Sequence, residues 1–276
     1  MIKFANTAEY NMVKARLQME PVFVSVKKLC SFNDDAKEIK YLTEEITPDY
    51  EGNDRTKVLL LFKNPHPDSV AAGLFLSEPH SQAFWERLFE ADYNRNLLPL
   101  LNNREWISGV ADTLRTGKYE SPFLYYFRCL YPFPTRQFVD LPQLFAGAPS
   151  TYRTEILNRS LRELTAYVEQ HGIRNVIVFF KDAVELLGGR ALPTSINAVA
   201  AAKQGIDQAI AHGDDSLFWR QNSTFRQKTK DGLSVYLNMN TRAKNHGPDL
   251  PKRYFTYNLE FILKDILKNS PDQNNQ

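Results

Sequence analysis

A short polar segment, Asn64 to Asp68, places an amide, an imidazole and a carboxylate around two prolines. Each proline fixes φ at about −65° and removes a backbone donor, so the backbones of Asn64 and His66 are expected to be extended. The segment therefore predicts a ligand pocket beside Asn64, with an ordinary Asn-Pro turn at the end of a strand as the alternative.

The segment before Asn64 is predicted to be a buried strand. Val58 to Phe62 is a run of bulky or β-branched apolar residues without polar alternation. Such a run is typical of a central strand in a sheet that is covered on both faces. Open α/β sheets bind ligands just past the carboxyl ends of these strands. The strand would therefore deliver Asn64 to a pocket.

Strands and helices alternate along the rest of the chain. An amphipathic helix is predicted from Thr151 to His171, ending at Gly172, and a strand from Asn175 to Phe180 leads into a helix that ends at Gly188-Gly189. Further predicted elements are a strand within Pro122 to Pro134, a strand at Val235 to Leu237, and helices at Gln82 to Leu88, Ser195 to His212 and around Leu259 to Ile266. This alternation predicts an α/β fold, a single-domain three-layer α/β/α sandwich with a central, mostly parallel sheet.

Residues 1–56 are predicted to form a helical N-terminal extension that covers the sheet. Residues 7–19 have a helical pattern with Asn6 or Thr7 as the cap, and residues 34–46 have a weaker one.

The α/β domain itself is expected over residues 57–269. An insert at about 190–233 is either a decorative cap or a wall of the pocket, and the polar tail at 270–276 is expected to be disordered.

Composition limits the classes of protein to consider. The 276 residues, 43% of them hydrophobic, can bury a sizeable core. No apolar run approaches the roughly 20 residues of a membrane span, and no signal peptide is evident, so a cytoplasmic protein is expected. Cys30 and Cys129 are the only cysteines, so neither a disulfide framework nor a zinc site is supported. We expect no cofactor, no metal, no obligate protein partner and a monomer.

Four motifs occur in order along the α/β region. They are FKNPHP at 62–67 with AFW at 83–85, CLYPFP at 129–134, IRNVIVFFKDAVELLGG at 173–189, and VYLNMNTRAKNHG at 235–247. Together they resemble the uracil-DNA glycosylase superfamily, especially its mismatch-specific branch with a G-x-N-P loop and a later R-F-W. The last motif occupies the place of the loop that enters DNA in that family. The resemblance covers residues 57–267.

The resemblance implies a glycosylase mechanism. Asn64 would orient a water molecule through its amide oxygen, and Pro65 would contribute its backbone carbonyl. Asp68 is a candidate assisting carboxylate, with helix capping as the alternative. A sugar with oxocarbenium character is so electrophilic that orienting the water can suffice.

The resemblance also implies a pocket for a base flipped out of DNA. His66 would control access to the pyrimidine, and Phe75 would stack on the base, with Leu76 as the alternative. Tyr126, Arg128 and Asn240 would lie around the base. The DNA-binding residues would be Arg242, Lys244, Asn245 and His246.

The chain departs from the family at several positions. The asparagine that reads uracil is replaced by Tyr126-Phe127-Arg128, the proline and serine of the second motif are absent, His66 stands at the gatekeeping position, and the insert is long. Some relatives hold an iron–sulfur cluster on four cysteines, which this chain lacks. These departures favour a base bulkier than uracil.

The sequence therefore predicts a monofunctional DNA glycosylase with DNA as its partner. It would excise a modified pyrimidine, such as the decorated cytosines of viral DNA, in anti-phage defence. The alternatives are a uracil-DNA glycosylase of base-excision repair, a non-catalytic binder of altered DNA, and an unrelated nucleotide hydrolase.

Charge distribution agrees with a nucleic-acid partner. The net charge is only +2, but residues 220–268 hold ten Lys or Arg against four Asp or Glu. This stripe is expected to track phosphates, with a solvated face as the alternative.

Overall fold

The computed structural model describes residues 1–50, 55–77, 81–92, 95–192, 195–238 and 249–270. The strands are β1 Ile2–Lys3, β2 Cys30–Asn33, β3 Glu38–Tyr41, β4 Thr56–Phe62, β5 Phe123–Cys129, β6 Asn175–Val178, β7 Arg226–Lys228 and β8 Ser234–Leu237. The helices are α1 Thr7–Met19, α2 Val24–Lys27, α3 Pro67–Ala72, α4 Gln82–Ala91, α5 Trp106–Thr116, α6 Asp140–Leu144, α7 Pro149–Thr151, α8 Arg159–Gln170, α9 Lys181–Gly188, α10 Ser195–His212, α11 Ser216–Gln221 and α12 Asp249–Lys268.

The protein is α/β and is organised around a five-stranded sheet in the order β5-β4-β6-β8-β7. The pairs β5-β4, β4-β6 and β6-β8 are parallel, and β7 alone is antiparallel to its neighbour. Strand β4 is an interior strand between β5 and β6, and its residues Val58 to Leu61 are completely buried. The predicted fold class and the predicted central strand are confirmed.

Helices cover both faces of this sheet. Because strand side chains alternate, Leu60 and Phe127 face the cluster that packs against α4, α5 and α12, whereas Leu59 and Tyr126 face the cluster that includes α8, α9 and α10. The sheet is therefore the middle layer of an α/β/α sandwich.

The helix predicted over residues 151–171 is present but irregular. It begins with α7, continues as a π-helix over Tyr152–Asn158 and becomes α8, before Gly172 takes a φ of 62°. Among the described residues, no helix is long and apolar enough to cross a membrane.

The N-terminal region differs from its prediction. Helix α1 is present and is capped by the Asn6 side chain, which accepts a hydrogen bond from the Glu9 amide. The helix predicted over residues 34–46 is wrong, because β1, β3 and β2 form a separate antiparallel sheet.

The error arises because helical spacing and strand alternation are hard to distinguish over a short segment. Ile39 and Leu42 have helical spacing, but Leu42 is 60% exposed while Ile39 is buried, so these two residues do not share a buried helical face. A turn with Lys37 at a φ of 54° instead joins two strands. Ile46 then pairs with Phe127 on the outer edge of β5 through both of its backbone hydrogen bonds.

Candidate active site at the carboxyl end of the sheet

The strand order creates a crevice at the carboxyl ends of β4 and β6. The chain leaves β4 toward β5 on one side, and it leaves β6 toward β8 on the other. Loops that diverge in this way leave an open crevice between them, where open α/β sheets bind ligands. Asn64 lies two residues past β4, and Phe179 directly follows β6.

Thr135 holds the Asn64 side chain in one orientation. The Asn64 amide nitrogen donates to the Thr135 carbonyl oxygen at 3.0 Å and lies 2.9 Å from its Oγ1. A carbonyl can only accept, so the nitrogen must be on this side of the amide. Thr135 is completely buried. Asn64 Oδ1 accepts no hydrogen bond from the described residues, so it is the end of the amide that can accept one from water.

The loops after β4 and β5 continue the pairing of the two strands. The amides of Tyr131 and Thr135 donate to the carbonyls of Lys63 and Pro65 at 2.9 and 3.1 Å. The Pro65 carbonyl, expected to help hold a water molecule, therefore already has a protein partner. These bonds make the Asn64 loop part of a rigid scaffold.

His66 and Asp68 lie at the start of α3. His66 is its N-cap, and Nδ1 of His66 accepts from the Asp68 amide at 3.3 Å. Nδ1 is the acceptor in this bond, so its lone pair faces the Asp68 amide. The Asp68 carboxylate is 66% exposed and lies 3.8 Å from His66 Nδ1. Asp68 is thus not the cap, and its proposed role in assisting the water stays a prediction.

An aromatic cavity of about 280 Å³ opens where β4 and β6 end, and Asn64, His66 and Asp68 are not among its lining residues. Rings from four separate elements line it: Phe62, Phe84, Phe179 and Phe255. The rings of Phe62 and Phe179 are stacked with centroids 4.9 Å apart, and the Phe84 ring meets both edge-on. The remaining lining residues are Leu76, Ser81, Ala83 and Arg87. Such a cavity suits a planar aromatic ligand.

Phe75 does not have the position predicted for it. It is 1% exposed and packs behind the cavity against Phe62 and Phe127. The next residue, Leu76, lines the cavity instead and has a φ of 51°, which is rare for a bulky side chain. The Trp85 indole donates to the backbone carbonyls of Phe75 and Leu76, at 3.0 and 3.3 Å, and so holds this strained turn. Trp85 is itself completely buried in the core.

Tyr126 and Arg128 lie on the opposite face of the sheet from the cavity. Tyr126 is completely buried against the rings of Tyr167 and His171. The Arg128 guanidinium is paired with Glu45 at 3.0 Å and with Glu163 at 3.8 Å. The prediction that both residues surround the base is wrong because alternation along β5 turns Phe127, and not its neighbours, toward the cavity side.

Lys63, which directly follows β4, is held against the protein. Its Nζ lies 3.9 Å from the centroid of the Phe138 ring and 2.8 Å from the Asp182 carboxylate. The ammonium is therefore paired and not positioned as a nucleophile.

The predicted DNA-entering loop lies outside the described residues. This applies to Asn240, Arg242, Lys244, Asn245 and His246.

The described residues of the basic stripe at 220–268 do not form one continuous surface. Arg226, Lys264 and Lys268 are paired with acidic side chains. Arg226 and Lys228 line a cleft at the amino end of the sheet, away from Asn64. None of the described residues of the insert lines the aromatic cavity, so its proposed role as a pocket wall is not supported.

Several important residues were not predicted from the sequence. Phe179 lies inside the predicted strand at 175–180, and only the observed end of β6 at Val178 places it where the strand-end rule applies. Thr135, Arg87 and Phe255 carry no local signal, because only tertiary structure brings them to the crevice.

The described residues offer no evident metal centre. No group of three or more His, Cys, Asp or Glu side chains among them is arranged to hold an ion. Cys30 and Cys129 are both free thiols, and burial raises the pKa of Cys30 to about 12. The chemical groups of the crevice are thus the Asn64 amide, which can orient a water molecule, and the aromatic cavity, which can hold a planar ring.

No family model and no curated protein matches this chain.

Proposed function

We propose that this protein is a DNA glycosylase of the uracil-DNA glycosylase superfamily type. It would flip a modified pyrimidine out of DNA and hydrolyse its N-glycosidic bond, in defence against phage with modified cytosines. The observation that carries the proposal is the Asn64 amide, held by Thr135 at the carboxyl end of the central strand so that Oδ1 can accept from water. The four-motif resemblance and the neighbouring aromatic cavity support it.

The proposed chemistry follows from this amide. The bond from the sugar C1′ to the base nitrogen breaks, and its electron pair leaves with the base. Oδ1 of Asn64 accepts a hydrogen bond from water, whose oxygen attacks C1′ and whose proton passes to solvent or to the departing base. Since the sugar cation reacts readily, a weakly basic amide is adequate for orientation.

The aromatic cavity supplies the proposed base pocket. A flipped base needs aromatic faces for stacking, and Phe62, Phe84 and Phe179 provide them. The volume of about 280 Å³ is just below the roughly 300–1,000 Å³ typical of ligand sites. One base with a modest substituent would fit such a space.

A uracil-DNA glycosylase is the second candidate, and Arg87 favours it. The Arg87 guanidinium lies 5.3 Å from the Phe255 ring centroid at the cavity wall. A guanidinium only donates hydrogen bonds, so it suits the two carbonyl oxygens of uracil better than the amino group of cytosine. Hydroxyl-bearing substituents on a modified cytosine would offer it acceptors as well.

Base release tests the proposal directly. Purified protein is incubated, in the presence of a chelator, with DNA containing uracil, mismatches or 5-substituted cytosines, and the released bases are identified by mass spectrometry. Asn64→Ala should abolish release while leaving DNA affinity within about twofold. Asn102→Ala, at an exposed site on the same protein, is the matched control and should keep full activity.

The outcomes separate the candidates. Release of uracil alone would favour the repair enzyme, and release of modified cytosine would favour the defence enzyme. DNA binding without release of any base would indicate the non-catalytic binder. Hydrolysis of free nucleotides without action on duplex DNA would contradict both glycosylase candidates.

A further inference from the structure

A second cleft, of about 470 Å³, opens at the amino end of the sheet. It lies around the first residues of β6 and β8, beside the edge strand β7 and the end of α12. Its polar and charged walls include Arg174, Asn175, Arg190, Arg226, Lys228 and Asn269. The proposed active site lies at the carboxyl end of the same strands, so the two clefts are separated by the length of the sheet.

The charge of this cleft is strongly positive. Four cationic side chains line it, Arg174, Arg190, Arg226 and Lys228, and no Asp or Glu is among its lining residues. Arg226 is paired at 2.6 Å with Asp265, which lies behind the wall. The other three cations form no ion pair with any residue that the structure describes. Asp265 therefore offsets one of the four cationic side chains, in a chain whose total net charge is only +2.

The cations stand on a fixed backbone. The buried side chain of Gln227 accepts from the Arg190 amide and donates to the Arg190 carbonyl, both at 3.1 Å. The Arg174 carbonyl accepts from the Ser234 amide at 2.9 Å. These bonds fix the backbone at Arg174 and Arg190. Less conformational entropy is therefore lost when the two side chains bind a ligand.

We propose that this cleft binds a small phosphorylated molecule of about mononucleotide size. Arginine forks match phosphate oxygens in pairs, and a cluster of them favours a ligand with more than one negative charge. The volume lies within the range of small-molecule sites. Asn175, Ser234 and Asn269 supply hydrogen-bonding groups for the uncharged part of the ligand. This inference does not depend on the glycosylase proposal.

Calorimetry with inorganic pyrophosphate and with ADP tests the inference on the full-length protein. Both should bind, more weakly as salt is raised. Arg174→Gln and Arg190→Gln should each weaken binding about tenfold or more, because each removes charge-assisted hydrogen bonds. Arg153→Gln, at an exposed arginine outside the cleft, is the matched control and should bind as the wild type does.

Two results would overturn the inference. The first is the absence of pyrophosphate and ADP binding at millimolar concentrations, or binding that both cleft variants leave unchanged. The second is weaker duplex DNA binding by the cleft variants when neither small ligand binds, which would make the cleft a nucleic-acid surface. Because these readouts need no base release, they remain informative if the glycosylase activity is absent.

Discussion

The orientation of one amide decides what Asn64 can do. Thr135 contributes both its carbonyl and its hydroxyl to the Asn64 nitrogen. We predict that Thr135→Val lowers the rate of base release roughly fivefold, because the variant loses one of the hydrogen bonds that hold the amide, worth about 1 kcal/mol. Substrate affinity should stay unchanged. Single-turnover kinetics with measured DNA affinity would separate the two effects.

The conservative variant makes that test specific. Thr135→Ser keeps the hydroxyl and should restore most of the rate. A purely structural role for Thr135 would lower stability in both variants and would not give a loss of rate at unchanged affinity.

Asp92 gives a prediction at a site unrelated to the pocket. Burial raises the pKa of its carboxyl to about 7, despite a hydrogen bond from Ser121 at 2.9 Å. The folded protein then holds a proton that the unfolded chain releases near pH 4. The free energy of unfolding should therefore fall between pH 4 and pH 7, by up to about 4 kcal/mol from this group.

Asp92→Asn should remove this dependence. The variant should be close to wild type in stability at pH 4 and more stable at pH 8, as measured by urea denaturation. Asp35→Asn, at an exposed position, is the control. Parallel pH profiles for the wild type and Asp92→Asn would contradict the prediction.

At the scale of elements, the positions of the strands are easier to predict from the sequence than the side of the sheet that each side chain faces. The run at 58–62 is apolar throughout, so β4 and its burial were predictable. The same uniformity hides which residue of β5 faces which layer, and Tyr126 was assigned to the wrong side. Helix and strand periods also coincide over short spans, which explains the mistaken helix at 34–46.

Close approach between α10 and α11 allows a matched pair of substitutions. A Cβ on Gly205 would lie 2.4 Å from Asn222 Nδ2, and Asn222 is buried and bonded to the Phe218 carbonyl at 3.0 Å. Gly205→Ala should lower the free energy of unfolding by about 1–3 kcal/mol through overpacking.

Gly109 in α5 is the opposite case. A Cβ there would have nothing within 4 Å, so Gly109→Ala should stabilise by about 0.5–1 kcal/mol through helix propensity. Urea denaturation of both variants checks the pair, and equal shifts of the same sign would show that packing against Asn222 does not limit position 205.

At the scale of the whole molecule, the candidate site could be only partly predicted. The strand-end rule located Asn64, because that rule depends on local sequence and on sheet topology. The aromatic cavity joins Phe62, Phe84, Phe179 and Phe255, which lie far apart along the chain. No local pattern distinguishes such residues from ordinary core aromatics, so tertiary structure was needed to bring them together.

The salt dependence of DNA binding should distinguish two groups of basic residues. The glycosylase proposal assigns the DNA contacts to Arg242 and Lys244, whereas Arg174 and Lys228 line the cleft at the amino end of the sheet. Arg242→Ala and Lys244→Ala should each weaken DNA binding and lower the slope of log K against log salt by about one. Arg174→Ala and Lys228→Ala should leave that slope unchanged. Titrations at several salt concentrations compare the four variants. A lower slope for the amino-end variants, or wild-type slopes for both loop variants, would contradict the placement of DNA beside Asn64.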